Sequence, residues 1–125
     1  MGRYVRRIAH KGKSIVFMDT PGLNEVQGIE AWEEMRQVLA KETNGCLILV
    51  DSRNIIMAPA AVNKAKEAAS ALKAHPGNRV AFVGLTRIQK TTALLMAKGL
   101  RVDAYCCDSM DEARDWLVKE SARVR

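Results

Sequence analysis

The run CLILV, at Cys46–Val50, is apolar at every position and limits the fold more than any other feature of the chain. A strand with one solvated face alternates apolar and polar residues, whereas a strand covered on both faces is continuously apolar. A second run of this kind, RVAFVG, occupies residues 79–84. Parallel strands must be joined by crossovers of about a dozen residues or more, usually helices. The two runs therefore predict an α/β fold with helices on the faces of a sheet.

The rest of the chain completes a repeating order of elements. Two short strands joined by the turn His10–Lys13 predict an opening hairpin, and each later strand is followed by a helical pattern. The predicted strands are 4–9, 14–19, 46–50, 79–84 and 101–107, and the predicted helices are 25–42, 59–73, 87–98 and one capped by Ser109 with Glu112 in a capping box. The order ββαβαβαβα predicts a mixed, mainly parallel five-stranded sheet with four helices.

Length and composition predict one domain over residues 1–125. Apolar residues make up 48% and charged residues 27% of the 125 residues, an ordinary balance for a folded domain. No apolar run approaches the roughly 20 residues needed to cross a bilayer, and the N-terminus lacks the apolar segment of a secretion signal. We therefore expect a cytoplasmic protein that is not an integral membrane protein.

The cysteines and histidines do not form a metal-binding pattern. The chain has three cysteines, of which Cys106 and Cys107 are adjacent and so point to opposite faces of a strand. Neither of the two histidines has zinc-ligand spacing to a cysteine. The sequence therefore predicts buried, reduced thiols, no metal and no cofactor.

Basic residues are concentrated at the N-terminus. The chain carries a net charge of +6, and five basic residues lie among the first thirteen: Arg3, Arg6, Arg7, Lys11 and Lys13. A basic hairpin can bind nucleic acid, anionic lipid or an acidic protein, or it can protect an edge strand from unwanted pairing. Tyr4 is the only aromatic residue in this stretch, and the scarcity of aromatic stacking partners argues against nucleic-acid binding.

Two fragments resemble parts of a nucleotide-binding site. Gly12-Lys13-Ser14 ends like a P-loop, and Asp19-Thr20-Pro21-Gly22 resembles a GTPase switch. A P-loop must be followed by a helix whose N-terminus holds phosphate, but a strand pattern follows Ser14. We therefore interpret these fragments as turn and strand-end chemistry.

A second P-loop-like segment, GLTRIQKTT at Gly84–Thr92, lies between a predicted strand and a predicted helix. Gln89 stands where the loop requires a second glycine. Thr86 and Gln89 have the spacing of a helix capping box, and this interpretation explains the glutamine. A phosphate site at Thr86, Lys90 and Thr91 stays the alternative.

The loop after the first apolar strand is a candidate interaction site. It contains a polar group, Asp51, Ser52, Arg53 and Asn54, followed by the apolar residues Ile55–Met57. In open α/β sheets, ligands meet the loops at the carboxyl ends of strands. The apolar residues either pack beneath the next helix or form an exposed contact surface. The predicted interaction loop comprises Asp51, Ser52, Arg53, Asn54 and Met57.

The sequence does not predict an active site. Asp19, Asp51 and Asp108 each end a strand, but acids at strand ends commonly cap turns. His10 belongs to the opposite turn and His75 ends a helix, so neither is near these acids in sequence. We therefore expect a protein without enzymatic activity.

Three phrases, CLILVDSR, NRVAFVGLTR and RVDAYCCDSMDEARDWLVKE, resemble the SpoIIAA-like (STAS-like) family, relatives of bacterial anti-sigma-factor antagonists and sulfate-transporter STAS domains. The resemblance covers nearly the whole chain and implies a bacterial, non-enzymatic regulatory module that binds another protein. In the antagonists, a serine at the start of the helix after the central strand is phosphorylated. The corresponding segment, Ile55–Lys64, has no serine or threonine. Ser52 is therefore the candidate phosphoacceptor, and the alternative is a turn residue that bonds to nearby backbone.

The alternative function is binding of a small ligand. The ligand is either a nucleotide at Gly84–Thr92 or a lipid in an apolar pocket, because the superfamily groups these domains loosely with Sec14-type lipid-binding folds. The many alanines of residues 58–71 either leave room for a lipid or permit close helix packing. The sequence leaves a homodimer open.

Overall fold

The predicted order of elements is confirmed. The structure is a computed structural model that describes residues 2–42, 45–56, 58–72, 77–100 and 102–119. In order, the described elements are β1 (Val5–His10), β2 (Lys13–Asp19), α1 (Glu25–Leu39), β3 (Leu47–Asp51), α2 (Pro59–Ala71), β4 (Arg79–Val83), α3 (Arg87–Gly99), β5 (Asp103–Cys107) and α4 (Met110–Val118). Helix α1 ends three residues before its predicted end. The predicted end of α2 at Lys73 lies outside the described residues.

The sheet has the strand order β1-β2-β3-β4-β5, and it is a mixed sheet. Strands β2 to β5 run parallel, whereas β1 pairs antiparallel with β2. The expectation of a mainly parallel sheet is corrected to a mixed one, because a tight turn reverses the chain before the first crossover. Its central residues, Lys11 and Gly12, both have positive φ, at 51° and 81°, as this class of hairpin turn requires.

The sheet buries side chains on both faces, as the apolar runs predict. Because the strands are sequential and crossovers are right-handed, α1, α2 and α3 lie on one face. Helix α4 packs on β3 and β4 from the other face. In β3, Ile48 and Val50 belong to the first buried cluster, and Leu49 belongs to the second. No helix in the described ranges is long and apolar enough to cross a membrane.

Side-chain caps fix where α3 and α4 begin. The capping box predicted at Thr86 and Gln89 is present. At α4, Ser109 accepts a hydrogen bond from the Glu112 amide at 3.3 Å. The predicted second half of that box is wrong, because the Glu112 carboxylate turns away to accept a hydrogen bond from the Tyr105 hydroxyl.

The basic hairpin is largely paired within the chain. Arg7 contacts Glu42 at 2.9 Å, and Lys11 contacts Asp115 at 3.1 Å. The Glu34 carboxylate accepts hydrogen bonds from the backbone amides of Arg3, Tyr4 and Val5, the shortest at 2.6 Å. These pairings favour the interpretation of the hairpin as a protected sheet edge.

Tyr4 provides a test of polar burial in the core. Its side chain is buried in the first cluster, and its hydroxyl has no hydrogen-bond partner within the described chain. A buried hydroxyl without a partner costs about 1–3 kcal/mol. We therefore expect Tyr4→Phe to leave the free energy of unfolding in urea unchanged or to raise it.

Tyr105 is the matched control, because its hydroxyl has a partner in Glu112. Tyr105→Phe is expected to lower the free energy of unfolding by about 1 kcal/mol. A loss for Tyr4→Phe as large as that for Tyr105→Phe would contradict the assignment of an unsatisfied Tyr4 hydroxyl.

Candidate functional site

Hydrogen bonds join the loops at the carboxyl ends of the parallel strands. Both the amide and the hydroxyl of buried Thr20 donate to the Asp51 carbonyl, at 3.2 and 2.7 Å. The Gly22 amide donates to the Arg53 carbonyl at 2.9 Å. The loop after β2 therefore holds the main chain of the predicted interaction loop from one side.

The Asp51 carboxylate is buried and committed to Arg53. Its two oxygens accept from Arg53 Nε at 2.9 Å and Nη2 at 2.7 Å, while only 4% of the Asp51 side chain is exposed. The hydrogen bonds that Arg53 donates to the Asp51 carboxylate raise the pKa of the Arg53 guanidinium. Arg53 itself is 56% exposed. The pair therefore presents a cation at the surface in one fixed orientation.

Gly84 allows the loop to lie across the turn between β4 and α3. Gly84 has φ +85°, and a Cβ built there would lie 3.0 Å from Arg53 Cα and overlap Arg53 Cγ. Asn54 also has a positive φ, at 59°, a conformation that asparagine tolerates better than most residues. The P-loop interpretation assigned Gly84 a different role, as the first glycine of a phosphate loop.

Ser52 faces the interior. It is buried, its amide donates to the Val83 carbonyl at 2.8 Å, and its carbonyl accepts from the Ile55 amide at 3.2 Å. These bonds give Ser52 the turn-closing role that was the alternative to phosphorylation. A kinase would reach the Ser52 hydroxyl only if this loop opened.

Of the apolar residues in the loop, one is half-buried and the next is exposed. Ile55 is half-buried, and its carbonyl accepts from Gln89 Nε2 of α3 at 3.3 Å. The next residue, Ile56, is 56% exposed, and Ile88 beside Gln89 is 80% exposed. Met57, the last member of the predicted loop, lies outside the described residues. We call Arg53, Asn54, Ile56 and Ile88 the loop patch.

Sequence reasoning missed Ile88 as a surface residue. The available signal was its position on α3, because Ala93 and Ala97 of that helix face the sheet and are buried. At 100° per residue, Ile88 lies on the opposite side of the helix from these alanines. A helical projection of residues 87–98 would therefore have identified it.

The residues of the alternative phosphate site are occupied by helix capping. The Thr86 amide donates to Gln89 Oε1 at 2.9 Å, and the Lys90 amide donates to the Thr86 carbonyl at 2.8 Å. The Thr91 hydroxyl donates to the Arg87 carbonyl at 3.3 Å. Phosphate sites at helix N-termini use free backbone amides, so this geometry supports the capping interpretation.

The pKa values of the three cysteine thiols are shifted in the direction opposite to that of catalytic thiols. Burial raises the pKa of the Cys46 thiol to about 12 and also raises the pKa values of Cys106 and Cys107. Nucleophilic cysteines have lowered pKa values. His10 contacts Asp115 at 2.8 Å at the far end of the sheet. Within the described ranges, no group of three or more His, Cys, Asp or Glu side chains could hold a metal.

An apolar groove runs between α2 and α3. Helix α2 packs on α1, and α3 packs on β5, which leaves a gap above β3 and β4. The lining residues include Trp32, Ala65, Phe82, Ala93 and Met96. One cavity in this α2–α3 groove has a volume of about 40 Å³, far below the roughly 300–1,000 Å³ of ordinary ligand pockets.

The chain matches no family model, no curated protein and no solved structure. Its function must therefore be inferred from the residues and their arrangement.

The packing of Arg53 against Gly84 is tested by Gly84→Ala. The substitution combines a positive φ for alanine, which costs about 1–3 kcal/mol, with a steric overlap with Arg53. We expect the free energy of unfolding in urea to fall by about 2–4 kcal/mol.

Gly12→Ala is the matched control, because Gly12 has a similar φ of +81° but no atom within 4 Å of the added Cβ. It is expected to cost about 1 kcal/mol, the backbone contribution alone. Equal losses for the two variants would show that Arg53 does not pack on Gly84.

Proposed function

We propose that this chain is a non-enzymatic regulatory module of the SpoIIAA/STAS-like type, and that it binds a partner protein through the loop patch. The observation that carries the proposal is the exposure of two large aliphatic side chains, Ile56 at 56% and Ile88 at 80%. Ile56 belongs to the same loop as Arg53, whose guanidinium is held by a buried carboxylate. Ile88 precedes Gln89, which donates a hydrogen bond to the Ile55 carbonyl of that loop. Exposed apolar groups rimmed by polar ones are typical of protein interaction sites.

The fixed orientation of Arg53 favours binding. Arginine is enriched among the residues that contribute most to protein interfaces. Ordering a flexible side chain on binding costs about 0.5–1.5 kcal/mol, and the Asp51 hydrogen bonds already restrict Arg53. The loop that carries Ile56 is likewise anchored, through Ile55, to Gln89 of α3. The patch therefore needs little rearrangement to meet a partner.

The fold is compatible with the proposed family. Its described residues form five strands and four helices in the order ββαβαβαβα that the sequence predicts. The proposed module would not use the phosphoserine of the antagonists, because the residue before α2 is Ala58 and Ser52 is buried. We infer that its binding is controlled by something other than phosphorylation at the start of α2.

We propose a protein without enzymatic activity because the side chains that could act in catalysis are paired with other residues or have unsuitable pKa values. The acid at the centre of the loops, Asp51, is paired with Arg53. The thiols have raised pKa values, and His10 is bound to Asp115. General acid–base or nucleophilic catalysis needs such groups to be available to a substrate.

Site-specific photocrosslinking tests the proposed interface. A photoreactive phenylalanine analogue at position 56 or 88 is expected to capture the same protein from a lysate of the source organism, because both positions lie in the loop patch. The measurement is mass spectrometry of the crosslinked band. Val26 on α1 is the matched control, since it is 67% exposed but lies outside the patch.

Capture of one protein from positions 56 and 88, but not from 26, is the expected result. Equal capture from all three positions would indicate nonspecific contact. No capture from either patch position, with the protein folded, would count against a partner at this surface.

A lipid carrier is the second candidate, and the apolar lining of the α2–α3 groove favours it. The groove would have to widen, because its present cavity of about 40 Å³ is smaller than a ligand pocket of about 300 Å³ or more. If the protein carries lipid, native mass spectrometry of the freshly purified chain will show an adduct that disappears in Ala69→Phe, which fills the groove. An adduct-free spectrum of the unaltered chain would exclude this candidate.

A further inference from the structure

The two edges of the sheet are protected to different degrees. At the β1 edge, Glu34 accepts hydrogen bonds from the amides of Tyr4 and Val5, and Arg6 and Arg7 place charge on the strand. Charged side chains and covered backbone groups prevent an edge strand from pairing with another chain. The β1 edge is therefore protected.

The β5 edge has few such features. The strand sequence DAYCC contains neither proline nor lysine, and its one charge, Asp103, lies at its start. Asp103 donates to the Asn78 carbonyl and Cys107 accepts from the Gly84 amide, so these residues direct their backbone groups toward β4. Because this direction alternates along a strand, the amides and carbonyls of Ala104 and Cys106 point outward.

No element of the described chain covers these outward groups. Among the residues that the structure describes, β5 is the last strand of the sheet and pairs only with β4. The flanking helices α3 and α4 lie above and below the sheet, not beside it. An outward row of backbone donors and acceptors is a template for one more strand.

The faces above and below this edge carry opposite charges. Above, α3 has Arg87, Lys90 and Lys98 and no acidic residue. The positive charge of Lys90 partly offsets the burial that raises the pKa of the Cys106 thiol. Below, α4 is acidic overall: it has Asp111, Glu112 and Asp115 and one basic residue, Arg114, which pairs with Asp111. Tyr105 lies on this lower side, stacked on Trp116 with ring centroids 5.2 Å apart.

We propose that the β5 edge binds an extended segment of a partner protein as a sixth strand, and that this segment alternates acidic with basic residues. Side chains of a strand point alternately to the two faces. An alternating segment would therefore place its acidic side chains beside α3 and its basic side chains beside α4. This surface shares no residue with the loop patch, so the proposal goes beyond the proposed function and can succeed or fail without it.

The charge pattern favours a different protein over a second copy of this chain. Two β5 strands paired about a twofold axis would bring the basic α3 helices together on one face and the acidic α4 helices together on the other. Like charges in such positions destabilise pairing, and each chain also carries a net charge of +6. A segment with alternating charge would instead place opposite charges beside each helix, acidic side chains beside α3 and basic side chains beside α4.

Fluorescence anisotropy at low salt tests the proposal, with a labelled peptide of about eight residues in which glutamate alternates with lysine. Only every second amide of an added strand faces β5. We therefore compare two further peptides, N-methylated at all glutamates or at all lysines. One methylated peptide is expected to have an affinity at least about 10-fold lower than that of the parent, because its edge-facing donors are lost. The affinity of the other is expected to stay within about threefold of the parent's.

Variants of the protein give an independent readout. Ala104→Pro removes an outward amide and leaves the hydrogen bonds to β4 intact, since proline is tolerated on edge strands. This variant is expected to bind the parent peptide with an affinity about 3- to 10-fold lower. Lys90→Glu is expected to lower the affinity for the parent peptide by a similar factor. Lys66→Glu on α2 makes the same charge change away from the edge and is expected to lower the affinity less.

Three results would overturn the proposal. The first is absence of binding by the parent peptide, and the second is equal binding by both methylated peptides. The third is a dimer of the unaltered chain in sedimentation that Ala104→Pro dissociates, because that would assign the edge to a second copy. The Lys90→Glu comparison keeps the proposal testable if Ala104→Pro does not fold.

Discussion

The buried carboxylate of Asp51 is the interaction on which the candidate site depends. A carboxylate removed from water needs a charged or hydrogen-bonding partner, and Arg53, two residues later, provides one at 2.7 and 2.9 Å. The main-chain carbonyl of Asp51 also receives both donors of Thr20. Together these bonds turn the chain at the end of β3. As a result, Arg53 packs against Gly84 and Ile55 accepts a hydrogen bond from Gln89 of α3. The exposure of Ile56 follows from this path.

Much of the fold could be predicted because it follows from local patterns. Continuous apolar runs identified β3 and β4 as strands buried on both faces, and the spacing of Thr86 and Gln89 identified a capping box that the structure contains. The Ser109 box was half wrong because Glu112 has a competing partner, Tyr105. That hydroxyl comes from a different element, so no local pattern could reveal it.

The candidate site was harder to predict than the fold, since it depends on which way loop side chains point. The sequence located the loop, but it does not predict the pairing of Asp51 with Arg53 that the structure contains. Ser52, the candidate phosphoacceptor, is buried. Ile88 was overlooked because a helix pattern shows its buried stripe more clearly than a single exposed residue. The pairings and exposures that define the loop patch arise only when β3, β4 and α3 are packed together.

The orientation of Arg53 by Asp51 can be measured without knowing the partner. We expect the Arg53 Nε–Hε group to have an NMR order parameter above about 0.6, the boundary of flexible groups, and to fall below it in Asp51→Asn. Arg87, which is exposed, provides the reference for a mobile guanidinium. An Arg53 order parameter as low as that of Arg87 in the unaltered protein would contradict a preorganised binding surface.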